Sequence, residues 1–249
     1  MQPQLYAEMA QLESTHFWFK ARREVLSCCL SRFLPAGSKR VVLDAGCGTG
    51  VNLGIFEKFG EIIGIDIFHD ACLYAAGKRP GRFAQGNLKS LPVRETSVDV
   101  VALLDVLEHV DDQRDVLLEL YRVLRPGGTL LITVPAFRHL WSGHDLSHQH
   151  RRRYRAAELR QELERAGFHI DYLSYYNTHL YLPVALSRLL RKHRANEQTT
   201  DMRIPPSWIN SIFYTLFRAE SLWIGRFSMP FGVSLVAVSE KIQLPDRTV

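Results

Sequence analysis

The sequence predicts an α/β protein: a doubly wound, seven-stranded, mostly parallel sheet with a helical insertion between strands six and seven. Three observations carry that prediction. From Arg40 onward, short apolar runs alternate with helical patterns, as in parallel sheets covered by helices on both faces. The first apolar run ends in closely spaced glycines, "VVLDAGCGTG", so the chain turns sharply where a ligand can approach the backbone. Finally, residues 181–229 hold two helical patterns that a compact unit of this type does not require.

Taken in order, residues 4–34 read as helix, with apolar positions at Leu5, Met9 and Leu12 and again at Val25, Leu26 and Leu30, interrupted by "HFWFKARR". "RVVLDAG" is the first strand, "EIIGIDI" the second, "GRFAQGN" a weak third, "SVDVVALLDV" the fourth and "GTLLITVPA" the fifth. "QRDVLLELYRVLRPGG" repeats apolar residues at helical spacing and is expected to stop at Pro-Gly-Gly. "AAELRQELERAGF" is an amphipathic helix closed by Gly167; "HIDYLSYYN" and "GVSLVAVSEK" are strands six and seven. The insertion reads as "LPVALSRLLRKHR" and "SWINSIFYTLFRAESLWIGRF", joined by the polar "ANEQTTDMRIPP". Within the second pattern, Ile209, Ile212, Phe213, Leu216, Phe217, Trp223 and Phe227 fall on one helical side. The expected divisions are N-terminal helices over 1–36, the core over 37–180, the insertion over 181–229 and the last core strand over 230–249.

Composition excludes several classes. With 46% hydrophobic and 23% charged residues, disorder is not indicated. Cys28, Cys29, Cys47 and Cys72 form no CxxC pair, so neither a disulfide framework nor a structural zinc site is readable. No secretory signal or spanning run is visible, and the cytoplasm is the expected location. The net charge of +5 is concentrated locally: five arginines face only Asp145 between residues 138 and 155. A basic strip on a near-balanced body points to a site rather than to a nucleic-acid coat.

Ligands of open α/β sheets bind beyond the carboxyl ends of the strands, and the residues there are informative. Gly46, Gly48 and Gly50 are spaced GxGxG, not the GxGxxG of dinucleotide binding. Asp44 would repel a pyrophosphate but welcome a cation. Asp66 ends strand two, placed for ribose hydroxyls, and Asp105 ends strand four. Three acids around a glycine loop suit a ligand with a ribose, an ammonium and a sulfonium. S-adenosylmethionine is such a ligand.

"VLDAGCGTG", "GIDI", "GNLKSLP", "DVLEHV" and "LRPGGTLLITVP", in this order, resemble the class I S-adenosylmethionine-dependent methyltransferases of small molecules, a Rossmann-like fold. The resemblance covers about residues 40–175 and returns at the final strand. It implies that Asp66 binds the ribose, that Ile67 packs on the adenine, that Gly86, Asn87 and Leu88 edge it, and that Asp105 and Val106 flank the methionyl part. Cys47 lies within the loop as a small buried residue. The family often covers its cofactor with N-terminal helices, which implies that Arg22 or Arg23 meets the methionine carboxylate while Trp18 and Phe19 exclude water.

The loop after strand five, "HDLSHQHRRRYR", has three readings. Zinc ligation by His144, Asp145, His148 and His150 is opposed by Arg151, Arg152 and Arg153 beside it, and no metal is expected. Phosphate binding by a nucleic-acid methyltransferase lacks the accompanying motifs. The favoured reading is a wall of the active site. His144, Asp145 and His150 supply a base and its orienting acid, while Arg152, Arg153 and Tyr154 hold an anionic group. "LWSGHD" followed by "HRRRY" resembles a bacterial type-11-like subgroup with undefined substrates. Glu108 and His109 form a second acid–base candidate; their segment resembles that of ubiquinone-pathway O-methyltransferases, which carries carboxylates near a divalent ion, although no metal is expected here.

The expected activity is therefore methyl transfer from S-adenosylmethionine to a small, apolar, isoprenoid- or lipid-like acceptor, with O-methylation favoured. An RNA methyltransferase and a catalytically silent cofactor-binding homologue are the alternatives. The insertion is expected to act as a lid, the basic helix 182–194 being also suited to peripheral membrane contact. Nucleic acid is not an expected partner, and neither the acceptor nor the oligomeric state is readable.

Overall fold

A computed structural model describes residues 10–35, 39–78, 80–190 and 204–242. Expectations for residues 1–9, for the linker up to 203 with Arg191, Lys192 and Arg194, and for 243–249 fall outside the described residues. Seven strands form one sheet in the order β3-β2-β1-β4-β5-β7-β6. They are β1 (Arg40–Ala45), β2 (Gly60–Asp66), β3 (Arg82–Gln85), β4 (Val98–Leu104), β5 (Leu124–Pro135), β6 (Phe168–Tyr176) and β7 (Ser234–Lys241). β1 pairs in parallel with both β2 and β4, and β7 runs antiparallel between β5 and β6. The order reverses between β1 and β4, which opens a crevice at their carboxyl ends.

The helices are α1 (Phe17–Phe33), α2 (Leu53–Phe56), α3 (His69–Ala76), α4 (Gln113–Val123), α5 (Gly143–Ser147), α6 (Ala156–Arg165), α7 (Tyr181–Leu190) and α8 (Ser207–Arg218), with a further helical stretch at residues 10–15. Both faces of the sheet are covered. Val100 and Ala102 of β4 join one buried cluster with Leu26 and Leu30 of α1 and Phe217 of α8. Val101 and Leu103 join the other with Leu117 and Leu120 of α4 and Leu159 of α6. Residues alternating along a strand point to opposite faces, so a continuous apolar run is what a strand buried on both sides must be.

The helix expected over 4–34 is broken within "HFWFKARR": His16 is extended (ψ 133°), and its Nδ1 accepts the Trp18 N–H at 3.2 Å to cap α1. Two expectations need correction. α4 ends at Val123, ahead of Pro-Gly-Gly, and Leu124 already starts β5 with an extended backbone (ψ 140°). Proline at 126 disfavours helix in the residue before it. Residues 207–227 are not one helix. α8 stops at Arg218, a 3-10 turn covers Ala219–Leu222, and Gly225 takes φ 77°. Phe227 consequently leaves the apolar stripe and is exposed.

α8 lies along α1: the Phe17 and Phe213 rings are 5.2 Å apart, and Asn210 Oδ1 accepts the Phe17 N–H at 2.9 Å. The buried Glu220 carboxylate, just beyond α8, accepts backbone N–H groups of Asn177, Thr178 and His179 after β6, at 2.6, 2.5 and 3.2 Å. The insertion is thereby fastened at the carboxyl edge of the sheet. Among the described residues, no helix is long and apolar enough to cross a membrane.

Candidate active site

The glycine loop opens the site. Gly46, Gly48 and Gly50 all have positive φ, at 86°, 51° and 74°, a region glycine enters without a Cβ penalty. A Cβ on Gly46 would lie 2.6 Å from Val106 Cγ2, and one on Gly50 2.9 Å from Ala75 Cβ, so both are packed from behind. At Gly48 a Cβ would meet nothing within 4 Å. That face of the loop is open to a ligand.

Acids line the opening. Asp66 accepts the Gly48 N–H at 2.9 Å and the Phe68 N–H at 3.0 Å, with the apolar side chains of Ile67 and Phe68 exposed beside it. Asp44 is buried, and among the described residues its Oδ2 has no hydrogen-bond partner. Burial, only partly offset by Arg22 and reinforced by Asp66, pushes its carboxyl up to about 7. A buried carboxyl oxygen without a donor, at the strand end that leads into the glycine loop, suits a cation-bearing ligand. Cys47 is buried as expected, and burial raises its thiol, so it stays protonated. Asn87 is exposed and spends its Oδ1 on the Lys89 N–H at 3.0 Å; Leu88 packs against the core.

Of the two arginines expected near the cofactor, Arg22 enters the crevice and Arg23 does not. Arg22 pairs with Asp105 Oδ2 at 2.6 Å and donates to Thr133 Oγ1 at 2.9 Å, Tyr176 OH at 3.3 Å and Asn52 Oδ1 at 3.3 Å. Trp18 lies over its guanidinium, 5.3 Å from ring centre to Cζ. Arg23 instead donates to the Glu13 carbonyl. The Glu13 carboxylate, buried, accepts from Thr49 Oγ1 in the glycine loop, which ties the N-terminal segment over the site. Glu13, Thr133 and Tyr176 escaped sequence reasoning, since each lies on an element whose periodicity signals only packing.

The loop after β5 folds back beside the end of β4. Four of the five non-glycine residues with positive φ among those described, Asp105, Phe137, Gln149 and Asn177, sit at this carboxyl edge. Strained backbone of this kind gathers at functional sites. Asp145, wholly buried, is the hub of the loop. It accepts from Arg153 Nε at 2.8 Å and Nη2 at 3.0 Å, from His150 Nδ1 at 2.9 Å, and from the Ser142 N–H at 2.9 Å. Burial alone would raise its carboxyl; the His150 and Arg153 bonds overcome that and hold it below the usual range.

The expected base and orienting acid are thus together as His150 and Asp145. His144 is not part of that pair. Its ring lies tilted against that of His148, centroids 4.1 Å apart, and burial lowers it to about 3, which makes it a weak base. The three residues expected to hold an anion face elsewhere. Arg153 is buried against Asp145 and the Ala136 carbonyl. Arg152 stacks over Tyr154 at 4.6 Å and donates to Gln113 Oε1. Tyr154 lies in the core with its hydroxyl 3.4 Å from the Leu107 carbonyl, because residue 154 bridges to Ala136 at the end of β5.

Glu108, His109 and His150 converge, with one ligand-type atom from each lying within 4.8 Å of the others. Burial, then the Asp105 charge, pushes the Glu108 carboxyl well above its usual range, and burial, then His150, lowers His109 to about 4. A hollow of about 520 Å³ at the opposite edge, lined by Arg40, Asp99 and Arg125 among others, holds none of these groups.

A doubly wound sheet with its last strand antiparallel and an acid-lined glycine loop at the switch point defines the class I methyltransferase fold. Comparison with known proteins agrees. A family model described as "Methyltransferase domain" matches residues 43–132. A "Probable S-adenosylmethionine-dependent methyltransferase" of Mycolicibacterium smegmatis is 35% identical over 164 residues, 64% of this chain and 62% of that protein. A similarly described protein of Mycobacterium tuberculosis (strain ATCC 25618 / H37Rv) is 32% identical over 161 residues, 63% of this chain and 57% of its own length. The match thus spans about three fifths of these relatives. Among solved structures, the complex of the Haloferax volcanii Trm112 methyltransferase activator with a methyltransferase gives a TM-score of 0.61 at 20% identity, covering 88% of this chain and 90% of that one. Residues 43–132 thus match a methyltransferase domain, and the chain is similar to S-adenosylmethionine-dependent methyltransferases over about three fifths of its length.

Proposed function

We propose that the protein transfers a methyl group from S-adenosylmethionine to an oxygen of a small, apolar, isoprenoid- or lipid-like acceptor in the cytoplasm. The observation that carries the cofactor half is the buried Asp44 Oδ2, which among the described residues has no hydrogen-bond partner, near the end of β1 ahead of the loop whose Gly48 is open. It fits a cationic ligand and opposes a pyrophosphate. When bound, the cofactor supplies an electrophilic methyl on a sulfonium.

Each residue then has a task. Asp66 takes the ribose hydroxyls and Ile67 and Phe68 one face of the adenine, with Asn87 and Leu88 at its edge. Arg22 takes the methionine carboxylate, while Asp44, Asp105 and Val106 surround the ammonium and sulfonium end. Trp18, over Arg22, keeps water out. In-line displacement depends on positioning, and His150, oriented through Nδ1 by Asp145, removes the acceptor proton.

The apolar acceptor is supported by what stands over the loop after β5. Tyr181 of α7 bonds His139 at 2.9 Å and packs near Phe137 and Phe231, while Leu182, Leu186 and Leu189 are exposed on α7. Those leucines suit a lid that closes on an apolar molecule, and equally a helix that takes its substrate from a lipid surface. The test is incubation with methyl-labelled cofactor and lipid and aqueous extracts. Label in a small organic-soluble product that releases labelled iodomethane with hydriodic acid supports the reading. Label in RNA, or none despite tight cofactor binding, overturns it.

A further inference from the structure

Only one side of α8 is used by the fold. Phe217 is buried, the Phe213 ring lies 5.2 Å from that of Phe17, and Asn210 Oδ1 accepts the Phe17 N–H at 2.9 Å, so these three hold the helix against α1. Trp208, Ile212 and Leu216 recur every fourth residue and form an outward stripe on the same helix. All three are exposed, Trp208 by 66%, and Leu222 and Phe227 just beyond are exposed as well. The stripe cannot fold over the crevice, because turning it inward would draw Phe213 and Phe217 out of the core. An apolar stripe fixed outward by the packing behind it marks a surface that another body covers.

The polar groups within that stripe are already satisfied. Ser211 Oγ donates to the Ser207 carbonyl at 2.9 Å, and Thr215 Oγ1 to the Ser211 carbonyl at 3.0 Å, each folding back onto the preceding turn. Those hydroxyls need no water, which is the condition for entering a medium without hydrogen-bonding partners. No charged residue precedes Arg218 in α8. Cations stand around it: Lys20 of α1, exposed, lies 5.0 Å from the Tyr214 ring centre, Arg218 pairs with Glu24, and Arg226 is exposed. Over residues 178–218 the sequence carries six Lys and Arg against two acids, Glu197 and Asp201. The occupant of the stripe is therefore apolar where it is touched and negatively charged around the contact.

We propose that the outer stripe of α8 docks on an anionic lipid bilayer, with Trp208, Ile212 and Leu216 in the headgroup boundary and the positive charge of the insertion holding the acidic headgroups. A shallow helix needs no more than such a stripe, and tryptophan is enriched at that boundary. A second copy of the chain fits less well. Three side chains fall far short of the about 20–30 residues a side of a standard interface, and two like basic rims would face each other. α8 lies along α1, which carries Trp18 and Arg22 into the crevice, and Glu220 just beyond α8 holds residues 177–179 at the carboxyl edge. A bilayer under α8 thus stands beside the crevice, which narrows the acceptor to lipids resident in the bilayer; this narrowing rests on the methyltransferase reading above, whereas the docking does not. α7, whose Tyr181 and Arg188 bond His139 and the Leu140 carbonyl, is left to close on the acceptor.

The test is cosedimentation of the full chain with vesicles of phosphatidylcholine and phosphatidylglycerol in equal parts, and with vesicles of phosphatidylcholine alone. S-adenosylmethionine binding is measured separately on the same samples. The expected result is binding to the mixed vesicles that weakens with added salt and is weaker on the neutral ones. The double variant Trp208→Ser, Ile212→Ser should bind the mixed vesicles at least about tenfold less tightly, with an unchanged melting temperature because both side chains are exposed. Leu182→Ser with Leu186→Ser on α7 should leave vesicle binding as it is. A fluorescence blue shift on adding vesicles should appear in the wild type and shrink in Trp208→Phe, which keeps the stripe apolar. No vesicle binding, or binding unaffected by the α8 variant, overturns the proposal. Binding lost in the α7 variant instead also overturns it, as does a dimer in sedimentation that disappears in the α8 variant. Absent vesicle binding with intact cofactor binding sinks this inference alone, whereas absent cofactor binding sinks the methyltransferase reading.

Discussion

Asp145→Asn asks whether the loop after β5 is built around one charge. In the wild type the carboxylate receives two bonds from Arg153, one from His150 and one from the Ser142 N–H, all between 2.8 and 3.0 Å, with no exposure to solvent. The amide keeps the shape but leaves a buried guanidinium without its counter-ion. Breaking a buried pair in this way costs about 3–5 kcal/mol, or about 6–20 °C in melting temperature for a chain of this size. Arg153→Met added to Asp145→Asn removes the stranded charge, so the double variant should recover about 2–3 kcal/mol of the loss. Urea unfolding of the four proteins of the cycle measures this. The pH dependence has a definite sign. Because the folded carboxyl is held below its usual range, its contribution is complete above the unfolded value of about 3.9 and fades as pH falls through the folded one. The gap between wild type and Asp145→Asn should therefore stay constant from neutral pH to about 5 and close only on further acidification. A loss below about 1 kcal/mol, or strict additivity with Arg153→Met, would refute the hub.

Asp66→Ala should weaken S-adenosylmethionine binding by about 2–3 kcal/mol, read by calorimetry, through loss of charge-assisted ribose bonds; unchanged affinity would mean that the ribose lies elsewhere. Cofactor affinity should rise with pH through about 7 as the Asp44 carboxyl ionises, and Asp44→Asn should bind weakly with a flat profile between pH 6 and 8; a pH-dependent Asn variant would assign the titration to another group. Phe217→Ala, emptying the contact between α8 and α1 at a side chain with 0% exposure, should cost about 3–5 kcal/mol in urea unfolding, and a loss under about 1 kcal/mol would mean that α8 is only loosely laid on the core.

The glycine loop and its acids, the part of the crevice proposed for the cofactor, were legible in the sequence because their determinants are local. A strand, a glycine turn and an acid at the next strand end lie within 23 residues, from Asp44 to Asp66, and local spacing maps directly onto geometry. The acceptor half was not, because it is assembled across the chain. Asp145 was recognisable as the acid beside His150, yet its engagement by Arg153 depends on residue 154 bridging to β5, a long-range pairing. That pairing turns Tyr154 and Arg153 inward, although a run of arginines reads as solvated. Arg22 over Arg23 could not be chosen from adjacent identical residues until α1 had been laid against β4, β5 and β6. The helix expected through residue 227 failed for a local reason, Gly225 in the left-handed region, where the hydrophobic pattern outran the backbone that had to carry it.

The pairing of Arg22 with Asp105 also changes what binding means at this crevice. On the proposed reading the site holds a closed internal circuit, in which the cation proposed for an incoming carboxylate is already satisfied, at 2.6 Å, by the acid proposed for an incoming cation. A zwitterionic amino-acid group arriving there trades partners with that circuit instead of filling a void. The free protein is thereby spared the penalty of displaying bare charge. Its hold on the ligand becomes a difference between two good pairings, weaker than either contact taken singly, and the same exchange run backwards gives the spent molecule a way to leave.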